Sequence, residues 1–138
     1  MCRTIRTAIR CEPLAVRDAR DWIREQLTEL YPSIDTAVVD DAGLAVSELV
    51  TNCVRADAHE LTLSMIAHRF DVVVATTDDA PGVPHRVTAP PSATSGRGLQ
   101  IVEALTTEWG VSPGDGHKTV WGRFSLTDST RCSFDCDR

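Results

Sequence analysis

Apolar residues recur at helical spacing through Leu14, Ala15, Ala19, Trp22, Ile23, Leu27 and Leu30, which predicts a helix over residues 14–30. Tyr31-Pro32 ends it, because the residue before a proline is steered out of the helical region. Ser33 or Asp35 can cap a second helix. That helix carries Val38, Val39, Ala42, Val46, Leu49, Val50, Cys53 and Val54 and ends near Ala56. The period then changes to two. Leu61, Leu63 and Met65 alternate with Thr62, Ser64 and Ile66, and His68-Arg69-Phe70 reads as a turn. Residues 71–77 contain Val72-Val73-Val74, a run suited to a buried strand. A weaker alternation over residues 4–10 predicts a first strand. Residues 80–96 show no period and hold Pro81, Gly82, Pro84, Pro90, Pro91 and Gly96; a loop of this length in a compact domain is functional or mobile. Gly96-Arg97-Gly98 opens a third helix with Leu99, Ile101, Val102 and Leu105 apolar. Residues 109–111 suggest a short strand and Pro113-Gly114-Asp115-Gly116 a turn. Residues 117–126 alternate again, with Val120, Phe124 and Leu126 on one side. Residues 127–138 are polar and expected to fray. No repeat or boundary divides the chain, so a single domain is expected over 1–138, with its core in about 14–126.

A chain of 138 residues can bury a sizeable core, and 42% hydrophobic with 25% charged residues is ordinary for a globular protein. The net charge of −6 argues against non-specific nucleic-acid binding and against an anionic membrane surface. No apolar run is long enough to span a bilayer, and the N-terminus lacks the apolar block of a secretory signal, so a cytoplasmic location is expected. Cys53 falls on the apolar stripe of the second helix, as a small core residue would. Cys132 and Cys136 lack the partner pair or nearby histidine that a zinc site needs, and free thiols are the expectation.

The chemistry concentrates in four stretches. In Ser47-Glu48-Leu49-Val50-Thr51-Asn52, Glu48 and Asn52 lie one helical turn apart on the flank of the apolar stripe. A carboxylate beside a neutral amide suits a proton acceptor next to an oxygen ligand for Mg²⁺. By itself such a pair is most often solvated surface. Asp78 ends the valine-rich strand at Asp78-Asp79-Ala80-Pro81-Gly82, and a buried carboxylate there can select an exocyclic amine. In Gly96-Arg97-Gly98-Leu99 the glycines allow close backbone approach, and a helix start favours an anion. No Rossmann fingerprint is formed, because a proline-rich loop and not a strand precedes it. In Lys118-Thr119-Val120-Trp121, Thr119 is placed to reach a base or a water beside Asp78.

In this order and spacing the four stretches resemble the GHKL (Bergerat-fold) ATPase superfamily, and within it the small bacterial anti-sigma factor serine kinases. Ser47 to Asn52 looks like the asparagine box. Asp78 to Gly82 looks like the first glycine box, Ser95 to Val102 like the second, and His117 to Trp121 like the closing strand motif. The resemblance implies an α/β (α+β) two-layer sandwich, with helices on one face of a mixed, mainly antiparallel sheet. It implies ATP and Mg²⁺ as cofactors, with Asn52 on the metal and Glu48 as the general base toward an attacking serine hydroxyl. Asp78 would read the adenine amine with Thr119 in support, and Gly82 would shape the base pocket. Gly96, Arg97, Gly98 and Leu99 would line the phosphates. The partners implied are a sigma factor and an anti-sigma-factor antagonist phosphorylated on serine, and a homodimer is implied as well.

The chain departs from the family pattern at three positions. Cys53 stands where alanine usually follows the box asparagine, Ala56 where a histidine is usual, and Ala80 where the first glycine box has glycine. These departures point to a weaker hold on nucleotide and keep open a non-catalytic, nucleotide-sensing protein-binding module. The ATP-binding half of a histidine kinase is a third reading, disfavoured because no phospho-acceptor helices precede the ATP-site motifs.

Overall fold

The structure is a computed structural model that describes residues 3–80, 98–114, 116–127, 130 and 132–134. The elements in chain order are β1 (Arg3–Arg10), α1 (Ala15–Leu30), α2 (Thr36–Arg55), β2 (Glu60–Ala67), β3 (Asp71–Asp78), α3 (Gly98–Leu105), β4 (Glu108–Gly114) and β5 (His117–Ser125). The strands form one sheet in the order β1-β2-β3-β5-β4, and all four pairings are antiparallel. The expected sandwich is therefore present, and its sheet is antiparallel throughout the described residues. Residues 81–97, with Gly82, Gly96 and Arg97, lie outside the described residues, as does Asp115.

Strand alternation divides the sheet into two unlike faces. Leu61, Leu63, Met65 and Ala67 of β2, Val72 and Val74 of β3, and Val120 and Phe124 of β5 are buried under the helices. α2 lies centrally, packed on α1, α3, β3 and β5. That position explains why its buried arc is wider than a single stripe: Ala42, Gly43, Ala45, Val46, Ser47, Leu49, Val50 and Cys53 are all covered. Gly122 sits on the covered face of β5, where an added Cβ would come within 2.8 Å of Thr106 Cγ2. A larger residue there would have to displace the Thr106 side chain just past the end of α3.

Both ends of α2 are set by local chemistry. Asp35 is the N-cap, its carboxylate accepting from the Ala37 N–H at 2.9 Å. At the other end the Asp57 N–H donates to Val54 O and the Ala58 N–H to Cys53 O, with Asp57 at φ 59°. This is a Schellman closure with aspartate where glycine is usual, and aspartate is among the few side chains that tolerate that conformation.

Two expectations are corrected here. Pro113 and Gly114 continue β4 and pair with Lys118 and His117, so the turn is tighter than residues 113–116. β4 is an edge strand, and a proline needs no ladder partner on its open side. The tail does not fray over its described part. The Ser133 N–H and hydroxyl donate to Leu30 O and Glu29 O at 2.8 Å, and Phe134 meets Tyr31 edge to face at 5.7 Å. Thr130 is also buried. These contacts supply carbonyl partners that the C-terminus of α1 otherwise lacks. Cys11, Cys53 and Cys132 are free thiols, as expected. No helix among the described residues is long and apolar enough to cross a membrane.

Candidate functional site

Asp78 is the last residue of β3, where the phase that buries Val72 and Val74 carries it to the covered face. It is only 4% exposed. Its neighbour Asp79 points the other way and is exposed, with its carboxylate accepting from the His59 N–H at 3.0 Å. That backbone hydrogen bond holds the Asp79 carboxyl below its ordinary range. Alternation therefore separates two adjacent aspartates into one buried and one solvated.

Three donors fix the Asp78 carboxylate. Oδ1 accepts from the Ala80 N–H at 2.8 Å and from Lys118 Nζ at 3.0 Å. Oδ2 accepts from the Cys53 thiol at 2.9 Å. Lys118 Nζ also donates to Ala80 O at 3.1 Å. The Asp78 and Lys118 side chains are 2% and 8% exposed, so this is a buried ion pair. The surroundings push the Cys53 thiol well above its ordinary value, first by burial and then by its hydrogen bond to Asp78 and that carboxylate's charge. Cys53 therefore stays a neutral donor.

The Cys53 contact ties α2 to the end of β3. Asn52 precedes Cys53 and Glu48 lies one turn earlier; both are half-buried on the flank beside the fully buried stripe. The helix flank and the buried carboxylate thus meet at one end of the domain. α3 begins at Gly98, with Leu99 buried, and it packs on α2 as well.

Thr119 is not beside Asp78. It is in register with Thr77, and their hydroxyls stand 2.7 Å apart. Successive side chains on a strand take opposite faces, so this pair lies on the uncovered face, away from Asp78 and Cys53. The residue in register with Asp78 is Lys118. Its place could have been found from the sequence: Val120, Phe124 and Leu126 share a phase, and one step back along it gives Lys118.

The donor set suits a base edge. Asp78 is acceptor-only, held rigidly, and has one acceptor position left on Oδ2 beyond the contacts made among the described residues. A neutral amide on α2 offers an oxygen to a hard cation.

Residues 9–124 match the family described as the histidine kinase-like ATPase domain. No curated protein matches. The fold is similar to the crystal structure of the RsbU and RsbW domains of Rv1364c from Mycobacterium tuberculosis, with a TM-score of 0.67 and 22% identity. That similarity covers 97% of this chain and 35% of the longer one, so the chain spans about a third of it. With the match reaching from the end of β1 to the end of β5, this chain belongs to the histidine kinase-like ATPase domain family.

Proposed function

We propose that the chain is an ATP-binding regulator that phosphorylates a serine of an anti-sigma-factor antagonist and, in its other state, sequesters a sigma factor. The observation that carries this reading is the Cys53–Asp78 contact at 2.9 Å, which joins the Glu48/Asn52 turn of α2 to a buried, acceptor-only carboxylate. Asp78 would take the adenine amine. Asn52 would contribute its amide oxygen to Mg²⁺, Gly82 would shape the base pocket, and the Gly98–Leu99 start of α3 would line the phosphates together with Gly96 and Arg97. Bound ATP would supply its γ-phosphoryl group and leave as ADP, and Mg²⁺ would offset the phosphate charge. The Glu48 carboxylate would accept the proton from the serine hydroxyl as that oxygen attacks. Thr119, in register with Thr77 on the other face of the sheet, would not reach the base at Asp78 from that position. The sigma-factor and antagonist partners and a homodimer belong to the same proposal and follow from the resemblance of the four motifs.

One observation favours a second reading, a non-catalytic nucleotide-sensing module. Ala80 is buried, and both its N–H and its carbonyl are engaged by the Asp78–Lys118 pair, where the family pattern has a freer glycine. Incubation with ATP/Mg²⁺ and candidate antagonists, read by the intact mass of the partner, separates the two. Kinase function requires a phosphate added to the antagonist, with the rate reduced about 10²–10⁴-fold in Glu48→Gln while ATP affinity stays within about threefold. Transfer at the wild-type rate in Glu48→Gln would remove the base from Glu48. ATP-dependent antagonist binding without transfer would establish the module.

A further inference from the structure

We infer that Lys118 is a second base-reading residue: its ammonium donates to the ring nitrogen beside the adenine amine that Asp78 accepts. This rests on the nucleotide reading above. Hydrogen-bond capacity points to it. An ammonium has three N–H donors, and Lys118 uses two among the described residues, on Asp78 Oδ1 and Ala80 O. A carboxylate has about four acceptor positions, and among the described residues Asp78 uses three, for Ala80, Lys118 and Cys53. One donor and one acceptor remain among the described contacts, on two side chains whose charged ends are held 3.0 Å apart. Adenine presents the matching order, an amine donor next to a ring-nitrogen acceptor. A carboxylate alone would read only the amine.

Charge and rigidity support the same conclusion. The pair is neutral as a unit, so a neutral base can cover it without stranding a charge. Lys118 is in register with Asp78 on the covered face, and its second bond to Ala80 O fixes the ammonium against the same turn. Its placement is therefore preset and not drawn in from solvent. The uncovered-face position of Thr119 leaves Lys118 as the β5 side chain that meets Asp78.

Calorimetry on the wild-type protein with ATP, 1-deaza-ATP and 7-deaza-ATP tests this without depending on the folding of a variant. One of the two deaza analogues, the one lacking the nitrogen that Lys118 contacts, should bind at least about tenfold more weakly than ATP, as expected for loss of a hydrogen bond to a charged group. Lys118→Met should abolish that discrimination by weakening ATP to the level of the deaza analogue. Equal affinity for all three nucleotides would overturn the role of Lys118 while leaving the nucleotide site intact. Tighter ATP binding in Lys118→Met than in wild type would also overturn it, showing that the lysine obstructs the base. If neither protein binds any of the three nucleotides, the nucleotide reading itself fails and the inference with it.

Discussion

Replacing Asp78 by asparagine preserves shape but removes the counter-charge of Lys118. The lysine side chain is 8% exposed and held 3.0 Å from Asp78 Oδ1, so its ammonium cannot turn to water without opening the space between α2 and the sheet. Removing one partner of a buried ion pair costs about 3–5 kcal/mol, mostly from the stranded charge. Domains of this kind have only about 5–15 kcal/mol of stability in all. At roughly 3–5 °C per kcal/mol for a chain of this length, Tm should fall by about 10–20 °C. Urea unfolding followed by tryptophan fluorescence and circular dichroism would give the value in Asp78→Asn, Lys118→Met and the double variant. The double variant should regain most of the loss, because no unpaired charge remains, and the cycle should show a coupling of about 2 kcal/mol or more. A loss below about 1 kcal/mol in Asp78→Asn, with no coupling, would show that the pair is solvated and not a buried ion pair. The same variant should bind ATP at least about tenfold more weakly, so affinity must be measured where it is still folded.

Two further outcomes follow from contacts near the site and at the tail. The folded state keeps the Cys53 proton above the thiol's ordinary value of 9.0, while the unfolded chain releases it. Stability should therefore be full below that pH and fall as pH rises beyond it, and Cys53→Ala should flatten this part of the urea midpoint against pH. An unchanged slope would place the thiol outside the buried contact with Asp78. Phe134→Ala removes the edge-to-face partner of the fully buried Tyr31 and should lower stability by about 1–2 kcal/mol in chemical denaturation, whereas no change would mean that the tail does not dock.

Much of this organisation was legible in the sequence because it follows from one-dimensional periods. α2 begins one residue after Asp35, a predicted cap, and ends one residue before Ala56. β2 and β3 follow the change of period from about 3.6 to two. The burial of Asp78 also follows from the phase of its strand. Contacts between distant elements were less accessible. No local pattern reports that Cys53 meets Asp78 across 25 positions, or that Ser133 returns to Glu29 across 104. The polar composition of the tail concealed Phe134, a single apolar anchor that a period cannot reveal. The hydroxyl of Thr119 makes it the obvious candidate in the sequence, but the face of the strand decides what a side chain can reach. That criterion selects Lys118, a residue type that composition alone assigns to the surface.

Nucleotide is proposed to bind where the C-terminal half of α2, the end of β3 and the start of β5 meet. Hydrogen exchange by mass spectrometry, with and without ATP/Mg²⁺, tests it most directly. Added protection should appear in peptides covering residues 46–55, 76–80 and 117–120, and should be lost in a folded Asp78→Asn variant. No change in those three segments at saturating ATP, or protection confined to β1 and α1 on the far side of the sheet order, would contradict the account.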